Sequence, residues 1–197
     1  MPVQPLLIAT RNVHKTEEIR VMLGNAFQVE DLNSGNAWPN IEETADTFLG
    51  NATLKALGIS QIYDGLVLSD DSGLEVDAIG GAPGVWSARF AGQNATDAEN
   101  RSLLLQRLAA FRGKKRTARF RCVMVLAKGS TVLGSFSGAV EGMIINQEKG
   151  DHGFGYDSLF VPEGHCETFA QLSAETKNQL SHRARALEQV IAFLQTL

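Results

Sequence analysis

Cysteine is scarce in this chain, and positive charge does not dominate it. Only Cys122 and Cys166 occur among the 197 residues, and they form no CxxC pair, so neither a disulfide framework nor a cysteine zinc site is indicated. Lysine and arginine number 18 against 22 acidic residues, which gives a net charge of −4. Binding to polymeric nucleic acid or to a membrane surface requires a dominant positive field, so this composition argues against both partners.

Long apolar runs are also absent. Nowhere do 18 uninterrupted apolar residues occur, and the N-terminus lacks the basic region and apolar core of a signal peptide. Hydrophobic residues make up 44% of the chain, and a chain of this length buries roughly 70% of the surface that its unfolded form exposes. We therefore expect a cytoplasmic protein with one domain over residues 1–197, at most two-lobed, and a full hydrophobic core.

Hydrophobic periodicity predicts alternating strands and helices in the first part of the chain. Strands are predicted at residues 6–9, 27–32 and 66–68, and helices at residues 15–23 and 47–63. The last of these strands runs directly into the polar residues Ser69, Asp70, Asp71 and Ser72. Such alternation is typical of strand-helix-strand units with parallel pairing.

The second part of the chain shows a different pattern. Thr96 with Glu99 forms a capping box that opens a helix. Residues 120–146 predict a long β-hairpin, and residues 177–194 predict a C-terminal helix. Combining strand-helix-strand units with a hairpin predicts an α/β fold with a mixed β-sheet.

A polar segment follows the first predicted strand and precedes a helix. Backbone N–H groups at such a position, the helix dipole and a lysine can together hold a phosphate, although no GxxxxGK loop is present. The alternative is a connection that only caps the helix, and the segment by itself favours that alternative. The segment consists of Thr10, Arg11, Asn12, Val13, His14 and Lys15.

Two adjacent carboxylates, Asp70 and Asp71, come directly after the predicted strand at residues 66–68. If buried, they would raise each other's pKa unless a cation compensated the charge. Mg²⁺ prefers one or two carboxylates with substrate phosphates and water, and Glu42 and Glu43 supply a second acidic pair that could converge on it. A solvated turn explains Asp70 and Asp71 equally well.

Other groups could contact a nucleotide, and each also has a plain structural explanation. Lys55 shares a helix face with Asn51 and could reach a phosphate, although solvated lysines are commoner at such positions. Residues 153–157 hold two aromatics between glycines, which could stack on a base or pack in the core. Lys177 and the run at residues 181–183 offer donors to a nucleotide, or form a solvated helix face.

In their order and types, these motifs resemble the inosine triphosphate pyrophosphatase family over essentially the whole chain. The resemblance implies hydrolysis of non-standard purine nucleoside triphosphates (ITP, dITP and XTP) to monophosphate and pyrophosphate, which clears them from the nucleotide pool. It also implies a curved mixed β-sheet with flanking helices that form two lobes around a central cleft, and usually a homodimer. The matching motifs are Ala9-Thr10-Arg11-Asn12 with Lys15, Glu42-Glu43-Thr44, Asn51-Ala52 with Lys55, Asp70-Asp71-Ser72-Gly73, Gly80-Gly81-Ala82-Pro83-Gly84, Phe154-Gly155-Tyr156-Asp157, Lys177 and Ser181-His182-Arg183.

The resemblance further implies a role for each matching residue. Glu42 and Asp71 would bind Mg²⁺, Asp71 would also orient or deprotonate the attacking water, and Lys55 would act with it as a catalytic residue. Residues 10–15 would hold the triphosphate. The remaining implied substrate-binding residues are Ser72 beside Asp71, then Phe154, Gly155, Tyr156 and Asp157 around the base, Lys177 on the nucleotide, and His182 and Arg183 near the base.

The chain departs from the family pattern at four positions. Arg11 and Ala45 stand where Gly is usual, Gly50 where Glu is usual, and Ser158 where Pro is usual. None of these changes removes an implied ligand, so the fold and the reaction are expected to be kept.

Two other functions fit part of the pattern. A septum-type nucleotide pyrophosphatase has a similar fold and acts on pyrimidine triphosphates, but the segments at residues 154–157 and 181–183 favour purines. A non-catalytic nucleotide sensor would keep the pocket, yet it has no need of a loaded Mg²⁺ site. A purely structural domain ranks last. If the family assignment is right, Asp71→Asn is expected to be far more harmful to activity than Asp70→Asn.

Overall fold

The structure is a computed structural model that describes residues 4–34, 37–111 and 116–196. In this part of the chain a mixed six-stranded β-sheet is flanked by α-helices, so the predicted α/β class is confirmed. The strands are β1 (Gln4–Ile8), β2 (Phe27–Asp31), β3 (Leu66–Val76), β4 (Thr117–Lys128), β5 (Thr131–Ile144) and β6 (Phe160–Pro162). The helices are α1 (Val13–Leu23), α2 (Phe48–Ser60), α3 (Asp97–Arg107), α4 (Ala174–Leu180) and α5 (His182–Leu194).

The sheet has the strand order β2-β1-β3-β4-β5-β6. Strand β1 pairs in parallel with β2 and with β3, and β5 pairs antiparallel with β6. Gly129 and Ser130, which join β4 to β5, have φ angles of 52° and 66°. Two successive residues with positive φ form the turn that two-residue hairpins prefer, so the predicted hairpin is confirmed.

The chain divides into two compact units. Unit 1 comprises Met1–Asp71, Cys122–Gly138 and Arg183–Leu197, and unit 2 comprises Ser72–Arg121 and Ala139–His182. In unit 1, alternate strand residues such as Leu68 and Met124 pack with α1 and α5, whereas Val67 and Val125 pack with α2. This alternation follows from the strand period of two, which sends successive side chains to opposite faces.

Unit 2 has its own hydrophobic core. Leu74 of β3, Leu104 of α3 and Phe160 of β6 lie in one buried cluster with Phe120 of β4. Fully burying a side chain of this kind stabilises the fold by roughly 1.5–3 kcal/mol. Among the described residues, no helix has the length and apolar character needed to cross a membrane.

Two predicted elements need correction. The strand predicted at residues 66–68 is too short, and the alternative of a solvated turn at Asp70 and Asp71 is wrong, because β3 continues through both residues to Val76. The single C-terminal helix is also wrong, since Ser181 adopts an extended conformation (φ −68°, ψ 159°) and separates α4 from α5. The capping box of Thr96 and Glu99 is present at the start of α3, as predicted.

Candidate active site

Strand geometry sends the two adjacent aspartates to different partners. Asp70 has an even number and lies on the same face of β3 as Leu68, the face that packs against α1 and α5. Its carboxylate contacts Lys15 and Arg183. Asp71 lies at the odd positions and contacts Lys55 of α2. Because successive strand residues point to opposite faces, each carboxylate has its own cations.

Asp70 is the centre of a buried charged cluster in unit 1. Its Oδ1 accepts from Lys15 Nζ at 2.5 Å, and its Oδ2 accepts from Arg183 Nε at 2.9 Å and from the Cys122 thiol at 3.1 Å. Arg183 NH1 also donates to Oε2 of Glu18 at 2.5 Å. The four charged groups therefore alternate in sign along one chain of contacts.

Local sequence places these side chains. Asn12 caps α1, and its Oδ1 accepts the backbone N–H groups of His14 and Lys15 at 3.0 and 3.1 Å. Lys15 is thus fixed in the first turn, and Glu18 lies three residues later on the same face of α1. Arg183 comes from the first turn of α5 and contacts Glu18 of α1 and Asp70 of β3.

The charges of this cluster shift in predictable directions. Burial alone would raise the pKa of Asp70, but Arg183 and Lys15 outweigh it and hold that pKa well below its usual 3.8. Burial likewise opposes the charge of Arg183, and Asp70 with Glu18 outweighs it, so the pKa of Arg183 is raised. Asp70 and Arg183 are therefore both charged at neutral pH.

A second cluster surrounds Asp71. The Lys55 ammonium donates to Asp71 Oδ1 at 3.1 Å, to the Asp70 backbone carbonyl at 2.8 Å and to Glu43 Oε1 at 2.7 Å. Burial raises the pKa of Asp71, and the nearby Lys55 and Lys15 offset only part of that effect. Burial opposes the charge of Lys55, but Asp71 and Glu43 raise its pKa on balance.

The donor set at Asp71 fits a magnesium ion. Its Oδ2 is buried and accepts no hydrogen bond from any residue that the structure describes, which leaves one carboxylate oxygen for a cation. In the described part of the chain, no three His, Cys, Asp or Glu side chains form a ready metal site. Mg²⁺ usually completes its shell with substrate phosphates and water, so one or two carboxylates suffice.

The acidic pair upstream is divided in the same way. Glu43 is half-buried and bonded to Lys55, whereas the side chain of Glu42 is exposed. The implied role of Glu42 as a metal ligand stays a prediction. The sequence offered Glu43, together with Glu42, as a carboxylate that could converge on Mg²⁺, and in the structure Glu43 bonds to Lys55. The apolar residues Ile41 and Ala45, two positions to either side of Glu43, were the sequence signal that could have separated the two glutamates.

Residues 10–15 are ordered by hydrogen bonds within unit 1. Arg11 donates to the carbonyl of Leu32 at 3.0 Å and to that of Trp38 at 2.8 Å, so its guanidinium binds a neighbouring loop. Thr10 is buried, and its hydroxyl accepts the Asn12 N–H at 3.1 Å. Val13 and His14 are exposed. A phosphate-binding role for this segment stays a prediction, and for Arg11 the loop contacts supply a different explanation.

Unit 2 contains a buried ion pair between Lys177 and Asp157, with Nζ and Oδ2 at 2.6 Å. The same Oδ2 accepts the backbone N–H of Phe154 at 3.0 Å, and the Lys177 ammonium lies 5.0 Å from the Phe154 ring centre. Gly153 has φ +76°, and a Cβ there would collide with the Asp157 carboxylate. The loop at residues 153–157 is therefore held in place by the ion pair between Asp157 and Lys177.

The other predicted residues of unit 2 have different surroundings. Tyr156 is only 3% exposed and its hydroxyl donates to the Ser87 carbonyl at 2.9 Å, so it is a core aromatic, the alternative left open above. The His182 ring stacks on Phe120 with centroids 4.9 Å apart. Ser72 is half-buried, and the Gly155 N–H donates to Asp97 at 2.7 Å.

Comparison with known proteins places the chain in a family. The sequence profile of the Ham1 family matches residues 6–193. The chain belongs to the Ham1 family. It is 46% identical over 192 residues to a protein of Exiguobacterium sibiricum named dITP/XTP pyrophosphatase, and the match covers 97% of both chains.

Other relatives support the same placement. A dITP/XTP pyrophosphatase of Streptococcus pyogenes is 46% identical over 188 residues, and the chain spans about 57% of the length of that relative. The solved structure of the Staphylococcus aureus Ham1 protein is 36% identical, with a TM-score of 0.87 over 98% of this chain and 99% of the other. The solved structure of a HAM1 protein from Coxiella burnetii is 36% identical, with a TM-score of 0.88 over 99% of this chain and 100% of the other.

Proposed function

We propose that this chain hydrolyses dITP, XTP and ITP to the nucleoside monophosphate and pyrophosphate, with Mg²⁺ as its cofactor. The observation that carries the proposal is the buried Asp71 carboxylate, which has one oxygen on Lys55 and the other without a hydrogen-bond partner in the described residues. The names of the relatives, dITP/XTP pyrophosphatase, supply the substrate class.

Asp71 is the proposed metal ligand and proton acceptor. Burial raises the pKa of its carboxyl, which makes the ionised form a stronger base than an exposed aspartate, as a group that activates water requires. A bound Mg²⁺ would neutralise phosphate charge and polarise the anhydride. Glu42 is proposed as the second ligand, on the family resemblance.

Cationic side chains are proposed to hold the phosphates. An ammonium has three N–H donors, and Lys55 already uses them on Glu43, Asp70 and Asp71. A phosphate must therefore replace one of these acceptors when Lys55 binds it. The backbone of residues 10–15 and Lys15 are proposed to act beside it.

The side chains that the family resemblance assigns to the base are proposed to read it. Phe154 and Asp157 would flank the base, and His182 and Arg183 would lie near it, with Lys177 on the nucleotide. Asp70 and Glu18 already bind the Arg183 guanidinium, so Arg183 also has a structural role. The ratio of ITP to ATP turnover in Arg183→Ala separates base recognition from that structural role. A loss of both activities by the same factor would assign Arg183 to the fold instead.

A homodimer and a cytoplasmic location are also proposed. The homodimer rests on the family resemblance and the location on the composition, and light scattering tests the dimer.

A product assay tests the proposed reaction. The chain is incubated with XTP, dITP, GTP or dTTP and Mg²⁺, and pyrophosphate and orthophosphate are measured separately. We expect pyrophosphate from XTP and dITP, and none from an Asp71→Asn variant. Orthophosphate with a nucleoside diphosphate would contradict the proposal. Preference for dTTP would favour the pyrimidine enzyme, and tight binding without products would favour the sensor.

A further inference from the structure

An acidic segment, residues 41–45, lies along helix α2 in a regular register. It is outside the helices and strands, and half-buried residues alternate with exposed ones along it. Glu43 accepts from Lys55 at 2.7 Å, and the Ala45 N–H donates to Asn51 Oδ1 at 2.9 Å. Positions two apart in the segment therefore meet positions one turn apart on the helix, as an extended chain beside a helix requires.

Two glycines of α2 make room for this segment. A Cβ at Gly58 would lie 2.6 Å from Ile41 Cδ1, and a Cβ at Gly50 would lie 2.5 Å from the Ala45 Cβ. Glycine lowers the stability of a helix interior relative to alanine, so its presence here needs a cause. Close approach of the segment to the helix is that cause at both positions.

Asn51 provides the polar contact between the helix and the segment. Its side chain is fully buried, and its Nδ2 makes no hydrogen bond with any described residue. A buried donor without a partner is unfavourable, so an apolar side chain would serve packing better. The contact that Asn51 alone supplies is the acceptor for the Ala45 N–H.

We propose that Asn51 and Gly50 are positioning residues for the reaction. Together they hold the acidic segment, residues 41–45, against α2, and this brings Glu43 into contact with Lys55. Lys55 in turn contacts Asp71. The position of the segment on α2 therefore determines the surroundings of Lys55 and Asp71, the two proposed catalytic residues. This inference rests on the proposed function, since the role it assigns is a role in that reaction.

The first test compares Asn51→Leu with a matched control in unit 2. Asn100 is also buried in a helix and accepts a loop N–H, that of Ala91, at 2.8 Å. We expect both leucine variants to lower the melting temperature, and only Asn51→Leu to lower kcat for XTP, by about tenfold or more, since small displacements in a site have effects of that size. Equal kcat in the two folded variants would overturn the proposal.

A second test moves the segment without touching Asn51. Gly50→Ala introduces a methyl group where Ala45 and the Thr47 hydroxyl leave no space, although alanine is the better helix former. We expect kcat to fall by about tenfold, and the double variant Gly50→Ala with Ala45→Gly to recover most of it. Unchanged kcat in Gly50→Ala, or no recovery in the double variant, would contradict the proposal even if Asn51→Leu does not fold.

Two further measurements separate this inference from the proposed function. Hydrogen exchange at the Ala45 amide does not depend on catalysis, and we expect it to be about tenfold faster in Asn51→Leu and in Gly50→Ala than in the parent. The effects of Asn51→Leu and Glu43→Gln on kcat should also be non-additive, because one acts through the other. A parent chain that releases no pyrophosphate refutes the proposed function, whereas an active parent with additive effects refutes only the positioning role.

Discussion

Asp70 and Arg183 form a buried charged pair in unit 1, with Oδ2 and Nε 2.9 Å apart and both side chains at most 1% exposed. Lys15 occupies the other oxygen of the same aspartate. Removing one partner of a buried pair leaves an uncompensated charge, which is far more harmful than replacing the whole pair. Asp70 therefore holds in place two cations that the family resemblance assigns to the substrate.

This relationship predicts that Asp70→Asn destabilises the fold. We expect a loss of about 3–5 kcal/mol in the free energy of unfolding, because Lys15 and Arg183 would keep their charges without their shared carboxylate. Urea denaturation at neutral pH measures it, with the exposed Asp64→Asn as control. The family resemblance implies only that Asp70→Asn is milder than Asp71→Asn in its effect on activity, which is a separate quantity. An unfolding midpoint equal to that of the parent would contradict the predicted loss of stability.

Glu18 and its neighbour Glu17 provide a matched pair for the next prediction. Glu18 accepts from the buried Arg183, whereas Glu17 pairs with Arg20 on the surface of α1. We expect Glu18→Gln to lose about 1–3 kcal/mol of stability, and Glu17→Gln to lose about 0.5 kcal/mol or less, as exposed pairs do. Chemical denaturation of both variants checks this. Equal effects would show that Arg183 does not depend on Glu18.

Much of the fold follows from local sequence. The apolar runs and the capping residues Asn12, Thr47 and Thr96 mark where strands end and helices begin, because those signals act within a few residues. The solvated turn left open at Asp70 and Asp71 is wrong for the opposite reason. Two carboxylates suggest solvent unless their cations are known, and Lys15, 55 residues earlier in the chain, gives no local sign of being one of them.

The sequence could predict which types of residue form the candidate site, but it could not predict which residues contact each other. Tyr156 was expected beside a base because aromatics stack on bases, yet it is buried on the Ser87 carbonyl. Ala45 and Gly50 were each noted as departures from the family, and only the structure shows that they touch. Contacts of this kind depend on the approach of segments, which no single-residue signal encodes.

The placement of Tyr156 leads to a prediction of its own. Tyr156→Phe removes the hydroxyl that donates to Ser87 and leaves that carbonyl without this donor. We expect a loss of about 1–3 kcal/mol in the free energy of unfolding, while KM for XTP stays at the parent value because the ring remains in the core. Thermal denaturation and steady-state kinetics measure the two quantities. A raised KM with unchanged stability would instead support substrate contact.

The final prediction concerns Asp71, whose stability effect and activity effect should have opposite signs. Burial, the largest cause, raises the pKa of Asp71 above its usual 3.8. A group whose pKa is raised by folding stabilises the folded state most below the unfolded pKa, and that contribution is lost as the pH rises through the folded pKa. At pH 7 the ionised carboxylate therefore opposes folding, and asparagine, which carries no charge, removes the penalty. We expect Asp71→Asn to be more stable than the parent at pH 7, with the difference shrinking as the pH falls through the folded pKa of Asp71, because both states bind the proton once the pH is below the usual 3.8.

The same variant should lose activity, because the amide is neither a hard anionic ligand nor a proton acceptor. Urea denaturation at pH 7 and pH 4.5, together with kcat for XTP at saturating Mg²⁺, gives the three numbers needed, and Asp64→Asn again serves as the exposed control. If Asp71→Asn is less stable than the parent at pH 7, the contact with Lys55 outweighs burial. In that case the carboxylate belongs to the fold as much as to the reaction. A variant that is more stable and inactive identifies Asp71 as a group kept at the expense of stability for what it does to the substrate.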